Sequence, residues 1–115
     1  MKYLLAILLL SCSILKSPKL LVRNNSNLDF DSIRVSVCSQ SYLFKNVIPG
    51  SEVSSSIEVN SSIACKDVVF FATFYKKDSI VAKKSHYSND LNYMPVVTII
   101  TIDSSLNIII NELVE

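Results

Sequence analysis

Apolar and polar residues alternate one for one at several places along this 115-residue chain, and that period of two restricts its fold more than any other feature. Ile33, Val35 and Val37 alternate with Ser32, Arg34 and Ser36; Val53, Ser55, Ile57 and Val59 alternate with Glu52, Ser54, Ser56 and Glu58. An extended strand sends successive side chains to opposite faces, so each run reads as a strand with one buried face. Composition points the same way. Beyond residue 11 the chain holds 12 Val and 12 Ile against 8 Leu, 3 Ala and 1 Met, a two-to-one tilt toward β-branched side chains that suit a pleated sheet.

Val68 to Tyr75 is apolar at nearly every position and predicts a central strand covered on both faces. Lys76-Lys77-Asp78 then turns the chain, and Ser79 to Lys84 returns as a more polar strand with Ile80 and Ala82 on one face. Val96 to Ile102, the turn Asp103-Ser104-Ser105, and Leu106 to Val114 form the clearest hairpin. Strands at Lys19 to Arg23 and Tyr42 to Val47 complete about eight, spaced roughly 8 to 12 residues apart. The expected fold is all-β: a single antiparallel β-sandwich, immunoglobulin-like or transthyretin-like, of seven or eight strands over residues 20–115. Its expected core includes Ile33, Val35, Val37, Val53, Ile57, Phe70, Ala72, Phe74, Ile99 and Ile108. The sole glycine, Gly50, follows Pro49 and fits a type II turn. The remaining turns fall to Asn24-Asn25-Ser26-Asn27, Asn60-Ser61-Ser62 and Ser88-Asn89-Asp90, read as solvated loops. Asn24 and Asn60 also head N-x-S sequons, relevant only to an organism that glycosylates secreted asparagines.

The amino terminus does not belong to this pattern. Lys2 supplies a positive charge, Tyr3 to Leu10 is unbroken apolar sequence, and Ser11-Cys12 follows, the layout of a secretory signal. Eight residues rise about 12 Å as a helix against a bilayer core of about 30 Å, so the segment is too short to span. Leu9-Leu10-Ser11-Cys12 resembles the lipobox of bacterial lipoproteins, with Leu9, Ser11 and Cys12 at the matching positions and Leu10 bulkier than is usual there. The resemblance implies cleavage before Cys12 and acylation of its thiol, giving a signal at 1–11 and a lipidated tether at 12–19. Each buried methylene of the acyl chains contributes about 0.8 kcal/mol to membrane attachment. An ordinary cleaved signal, with Cys12 incidental, is the main alternative, followed by a retained anchor.

The order Leu21-Val22-Arg23-Asn24-Asn25-Ser26, Asp31-Ser32-Ile33-Arg34-Val35, Ile48-Pro49-Gly50-Ser51, Phe70 to Tyr75, Tyr87-Ser88-Asn89 and Val97 to Ile102 also resembles small, uncharacterised lipoproteins of Gram-negative bacteria. The resemblance implies a compact β-domain on the envelope side of a membrane, more often the outer one. It brings no catalytic residues.

Export would place the other two cysteines in an oxidising compartment. Cys38 ends one predicted strand and Cys65 precedes another, so a bridge is geometrically open to them if those strands are antiparallel neighbours. Closing a loop of about 27 residues would stabilise the domain by roughly 3 to 4 kcal/mol. The alternative is two separate thiols.

For catalysis the sequence offers little. His86 is the only histidine and reads as a surface or loop residue; Cys38, Cys65 and His86 lack the local pairing of a zinc site, and no serine lies in a G-x-S-x-G elbow. Asp29 with Asp31, or Glu52 with Glu58, are carboxylate pairs that read as solvated surface. No catalytic residue, metal or cofactor is therefore assigned. With Lys2 set aside, ten basic and ten acidic side chains balance, which argues against a nucleic-acid binder. Lys76, Lys77, Lys83 and Lys84 form a candidate basic patch. The expected function is a non-enzymatic, lipid-anchored binding or structural module of the cell envelope. It would be held to the membrane by its lipid and would contact an envelope protein. The alternatives are a periplasmic carrier of a small ligand or a secreted sandwich without lipid.

Overall fold

The computed structural model describes residues 18–57, 68–87 and 97–113. Within them the chain forms eight strands and no helix: β1 (Lys19–Asn24), β2 (Phe30–Val37), β3 (Gln40–Val47), β4 (Glu52–Ser56), β5 (Val69–Lys76), β6 (Ser79–Tyr87), β7 (Val97–Ile102) and β8 (Ile108–Leu113). They make two four-stranded sheets, ordered β4-β1-β7-β8 and β3-β2-β5-β6, packed face to face as a β-sandwich. One pairing departs from the all-antiparallel expectation. β1 runs parallel to β7, with Leu20 opposite Thr98 and Val22 opposite Ile100. The two strands are far apart in sequence, so the connection that a parallel pair needs is available to them.

The alternating runs of the sequence set the inner faces. Ile33, Val35 and Val37 of β2 meet Phe70, Ala72 and Phe74 of β5 across one antiparallel ladder, all six buried. Leu20, Val22, Ile100, Ile102, Ile108 and Ile110 face them from the other sheet. Phe30 and Phe74 lie edge to face, ring centroids 5.1 Å apart, a favoured aromatic geometry. Of the expected core, Ile57 and Ile108 are also buried, and Val53 is half-buried against the cluster.

Ile99 is a correction. In β7 the inward residues are Thr98, Ile100 and Ile102, while Val97, Ile99 and Thr101 take the outer face. The run Val97-Thr98-Ile99-Ile100-Thr101-Ile102 is compatible with either register, and pairing with Leu20 and Val22 of β1 selects the one seen. β5 is a second correction. It is central, but only one of its faces is covered, and Phe71 on the other is 54% exposed. In β6, Ala82 stands opposite Phe74 but Ile80 stands opposite Tyr75, so Val81 is an extra bulged residue and Ile80 and Ala82 do not share a face.

The turns explain how so little glycine suffices. Ser51 N–H donates to Ile48 O at 3.2 Å with Gly50 at φ 80, the type II turn expected of Pro49-Gly50. Two hairpins instead use paired left-handed residues without glycine: Cys38 and Ser39 (φ 50 and 65) between β2 and β3, and Lys77 and Asp78 (φ 50 and 63) between β5 and β6. This matches the backbone of a type I′ turn, whose twist follows that of the strands. Asn46 also has positive φ, and beside it the alternation slips: Phe30 and Val47 face inward, as do Ile33 and Phe44 three residues away.

Asn24 overturns the reading of its segment as a solvated loop. Its side chain is fully buried at the end of β1. Nδ2 donates to Leu28 O (2.8 Å) and to Val47 O (3.1 Å), and Oδ1 accepts from Ser26 N–H (3.0 Å) and Ser26 Oγ (2.5 Å). Ser26 is buried too. A sequon asparagine has to offer its amide to an enzyme, and in this fold both Asn24 amide protons are committed to carbonyls. Asn60 lies outside the described residues.

Two stability measurements follow. Asn24→Ala strands the carbonyls of Leu28 and Val47 and the Ser26 amide in the interior, and at 1–3 kcal/mol per lost buried partner the loss is expected to reach at least about 3 kcal/mol in urea unfolding. Thr98 Oγ1 is buried with no hydrogen-bond partner among the described residues. Thr98→Val keeps the shape and removes the unmet hydroxyl, so it is expected to raise stability by about 1 kcal/mol in the same assay.

Candidate functional site

Cys12 and Cys65 lie outside the described residues. Cys38 is the first residue of the β2–β3 turn, half-buried against the core. β2 and β5 are antiparallel neighbours with Val37 opposite Phe70, so the turn holding Cys38 sits at the end of the sheet where β5 begins.

The four lysines do not converge. Lys76 Nζ is 2.7 Å from Asp29 Oδ1 and 3.1 Å from Asp29 O. The adjacent Lys77 donates its backbone N–H to the Asp31 carboxylate, which anchors the left-handed turn. Lys83 and Lys84 follow each other on β6 and therefore point to opposite faces. Lys84, opposite the buried Ala72, sends its ammonium across to Ile108 O at 2.9 Å and ties β6 to β8. Lys83, opposite Thr73, points outward.

His86 is neither a loop nor a fully exposed residue. It belongs to β6, opposite Phe70 on the inner face, and its Nε2 lies 3.4 Å from Glu112 Oε2 of β8, whose side chain is 6% exposed. Nothing in the spacing of these two residues hints at the pairing. Glu112 follows Ile108 and Ile110 in the inward register, a relation visible only once the face of β8 is known. Together Lys84, His86 and Glu112 close the seam between the edge strands of the two sheets.

The carboxylate pairs singled out in the sequence are engaged one residue at a time. Asp29 binds the Lys76 ammonium, Asp31 accepts from the Lys77 amide, and Glu52 Oε2 accepts from Arg23 Nε at 2.8 Å. Glu58 lies outside the described residues. Among the described residues no group of three or more His, Cys, Asp or Glu is placed to hold a metal ion.

What the fold does assemble is the outer face of the β3-β2-β5-β6 sheet. One row runs straight across all four strands: Leu43, Arg34, Thr73 and Lys83. Lys45, Ser32 and Tyr75 form the row on one side; Ser41, Ser36, Phe71 and Ser85 form the row on the other, followed by Val69 opposite Tyr87. Leu43, Phe71 and Tyr87 are 48%, 54% and 60% exposed. Between β5 and β6 this face holds an open groove of about 370 Å³ lined by Phe71, Thr73, Lys83 and Ser85 among others. A second open groove, of about 510 Å³, runs past Lys83 and Lys84 to the β7–β8 hairpin.

Compared with known proteins, the chain matches no family model, no curated protein and no solved structure.

The Lys76 contact generates a pH prediction. Its hydrogen bond to the carboxylate, aided by Asp29's own backbone and the nearby positive charge, holds the Asp29 carboxyl below the usual aspartate range. A folded-state value below the unfolded one means that the contribution is present above the ordinary aspartate range and is lost as pH falls through the lowered value. The unfolding midpoints of wild type and Asp29→Asn are therefore expected to differ at neutral pH, with wild type the more stable, and to converge in acid. Because the pair is exposed, added salt should shrink the difference.

Proposed function

We propose that this protein is a lipid-anchored binding or structural module of the bacterial cell envelope, acylated on Cys12, with no catalytic activity of its own. The observation that carries the reading is the amino-terminal sequence: a basic residue, an apolar run of signal length, and Leu9-Leu10-Ser11-Cys12 at its end. The fold supports it in two ways. The described chain enters the sandwich at Pro18, whose carbonyl accepts from Ile57 N–H at 2.7 Å, so five residues separate Cys12 from the domain. Even fully extended they span only about 17 Å, which keeps the domain close to the membrane that holds the lipid. In addition, among the described residues the two grooves open on the surface and the sheet interior is packed with buried side chains, an arrangement suited to contact with a macromolecule.

The same export places Cys38 and Cys65 where disulfides form. We take them to be bridged, the neighbouring positions of β2 and β5 supplying the support. The bridge would pin the β2–β3 turn to the segment leading into β5. A partner protein of the envelope completes the reading.

Mass spectrometry of the mature amino terminus is the deciding measurement. The expected product begins at Cys12 and carries acyl chains; cleavage elsewhere, or an unmodified thiol, would overturn the proposal. Cys12→Ala is expected to leave the protein unprocessed or soluble and to abolish its membrane fractionation.

A further inference from the structure

We propose that the outer face of the β3-β2-β5-β6 sheet lies directly against an anionic lipid headgroup layer. Three cations stand on this face: Arg34, Lys45 and Lys83. All three are exposed, and among the described residues none of them makes a side-chain hydrogen bond or ion pair. In its strands the face carries one exposed carboxylate, Asp31 of β2. Asp31 accepts from the Lys77 backbone amide and Asp29 from the Lys76 ammonium at the β5–β6 turn, while Asp103 shares the second groove with Lys83. The opposite sheet presents Lys19 and Arg23 outward on β1, and Arg23 is paired with Glu52. A domain with balanced charge overall therefore carries an excess of positive charge on this face.

The apolar groups on the same face indicate what the charge meets. Leu43 stands exposed in the row of Arg34 and Lys83, Phe71 in the next row and Tyr87 in the one beyond, so apolar groups border the cations on the same face. Cations bordered by exposed aromatic and aliphatic side chains on one surface are what a headgroup layer accommodates: phosphates meet the charges while the rings reach the acyl boundary. Arg34 and Lys83 are two strands apart, about 10 Å, a spacing that suits separate headgroups rather than one bidentate acidic side chain. Each cation near an anionic surface strengthens binding several-fold, so three act together where one would not. The inference rests on the lipid-anchored reading for its setting, since a tether of five residues holds the domain within reach of the surface.

The chain contains no tryptophan, so one introduced at the face is a clean reporter. Full-length, unacylated Phe71→Trp is mixed with vesicles of equal parts phosphatidylcholine and phosphatidylglycerol. Its emission is expected to shift to the blue and to be quenched by brominated acyl chains, with little response to phosphatidylcholine alone. Adding Arg34→Gln, Lys45→Gln and Lys83→Gln should weaken binding roughly a hundredfold, with a far-UV spectrum of unchanged strand content showing that the variant is folded. Ser54→Trp, opposite Leu21 on the outer face of the other sheet, should not respond. The proposal is overturned by equal responses from the Phe71→Trp and Ser54→Trp proteins, by equal binding to neutral vesicles, or by an unweakened triple variant. It is also overturned if soluble polyglutamate produces the same shift, which would assign the face to an acidic protein. Because the assay uses unacylated protein, it can fail while Cys12 acylation stands, and succeed while Cys12 acylation fails.

Discussion

The side-chain amide of Asn24 is fully buried, so each of its hydrogen-bonding positions has to be met by protein, and the groups that meet them come from separate parts of the fold. Val47 O belongs to one sheet and Asn24 itself to the other, which makes this amide a polar link between the layers at one end of the sandwich. The backbone around it extends the link. Asn24 N–H donates to Ser51 O (3.0 Å), Asn24 O accepts from Gly50 N–H (2.7 Å), and Asn25 N–H reaches Ile102 O (2.9 Å). The β1–β2 loop, the Pro49-Gly50 turn and the end of β7 are thereby fixed to one another. Aspartate would lose both donors and bring a charge inside, and leucine would leave every partner unmet, so the position demands a carboxamide.

The seam between β6 and β8 is closed by different means. There the inward positions near the ends of the edge strands carry Lys84, His86 and Glu112, whose long side chains reach across from one sheet to the other. Lys84 also occupies Ile108 O, a main-chain acceptor on an edge strand that would otherwise be open to another chain, and the bulge at Val81 distorts the second edge. With these two edges blunted and the interior filled, the outer face of the β3-β2-β5-β6 sheet remains a broad exposed surface.

The sandwich is readable in the sequence because half-buried strands announce themselves by alternation, as at Ile33 to Val37 and at Glu52 to Ile57. Where both registers are apolar the signal fails. In β7, Ile99 and Ile100 are interchangeable to a pattern argument, and only pairing with β1 decides between them. Val68 to Tyr75 misleads for a related reason: an apolar run reads as doubly covered, yet the outer residues of β5 border a solvent-facing surface, with Phe71 exposed. Asn24 and Glu112 are invisible to such reading because polar residues pass for surface unless their partners are known, and those partners are main-chain carbonyls or a residue of the other sheet. The hairpin turns at Cys38-Ser39 and Lys77-Asp78 lack the Asn-Gly signature of their backbone class. The lysines around the second turn stand out in the sequence, but that only Lys83 among them joins Arg34 and Lys45 on one face is a product of register.

β1 is the first strand of the domain to be synthesised, and its parallel partner β7 follows only after β2 to β6 have been made. The β3-β2-β5-β6 sheet, by contrast, is built largely from hairpins between sequence neighbours, and both of its tight turns can close as soon as their strands emerge. Loop-closure entropy for the β1–β7 ladder has to be met before any of its contacts is gained, which places it late and slow in assembly. Until β7 arrives, β1 has β4 on one side and an open edge on the other. Until β7 is made, a nascent chain of this topology therefore carries an apolar strand paired on one side only, and that open edge is what a chaperone would meet.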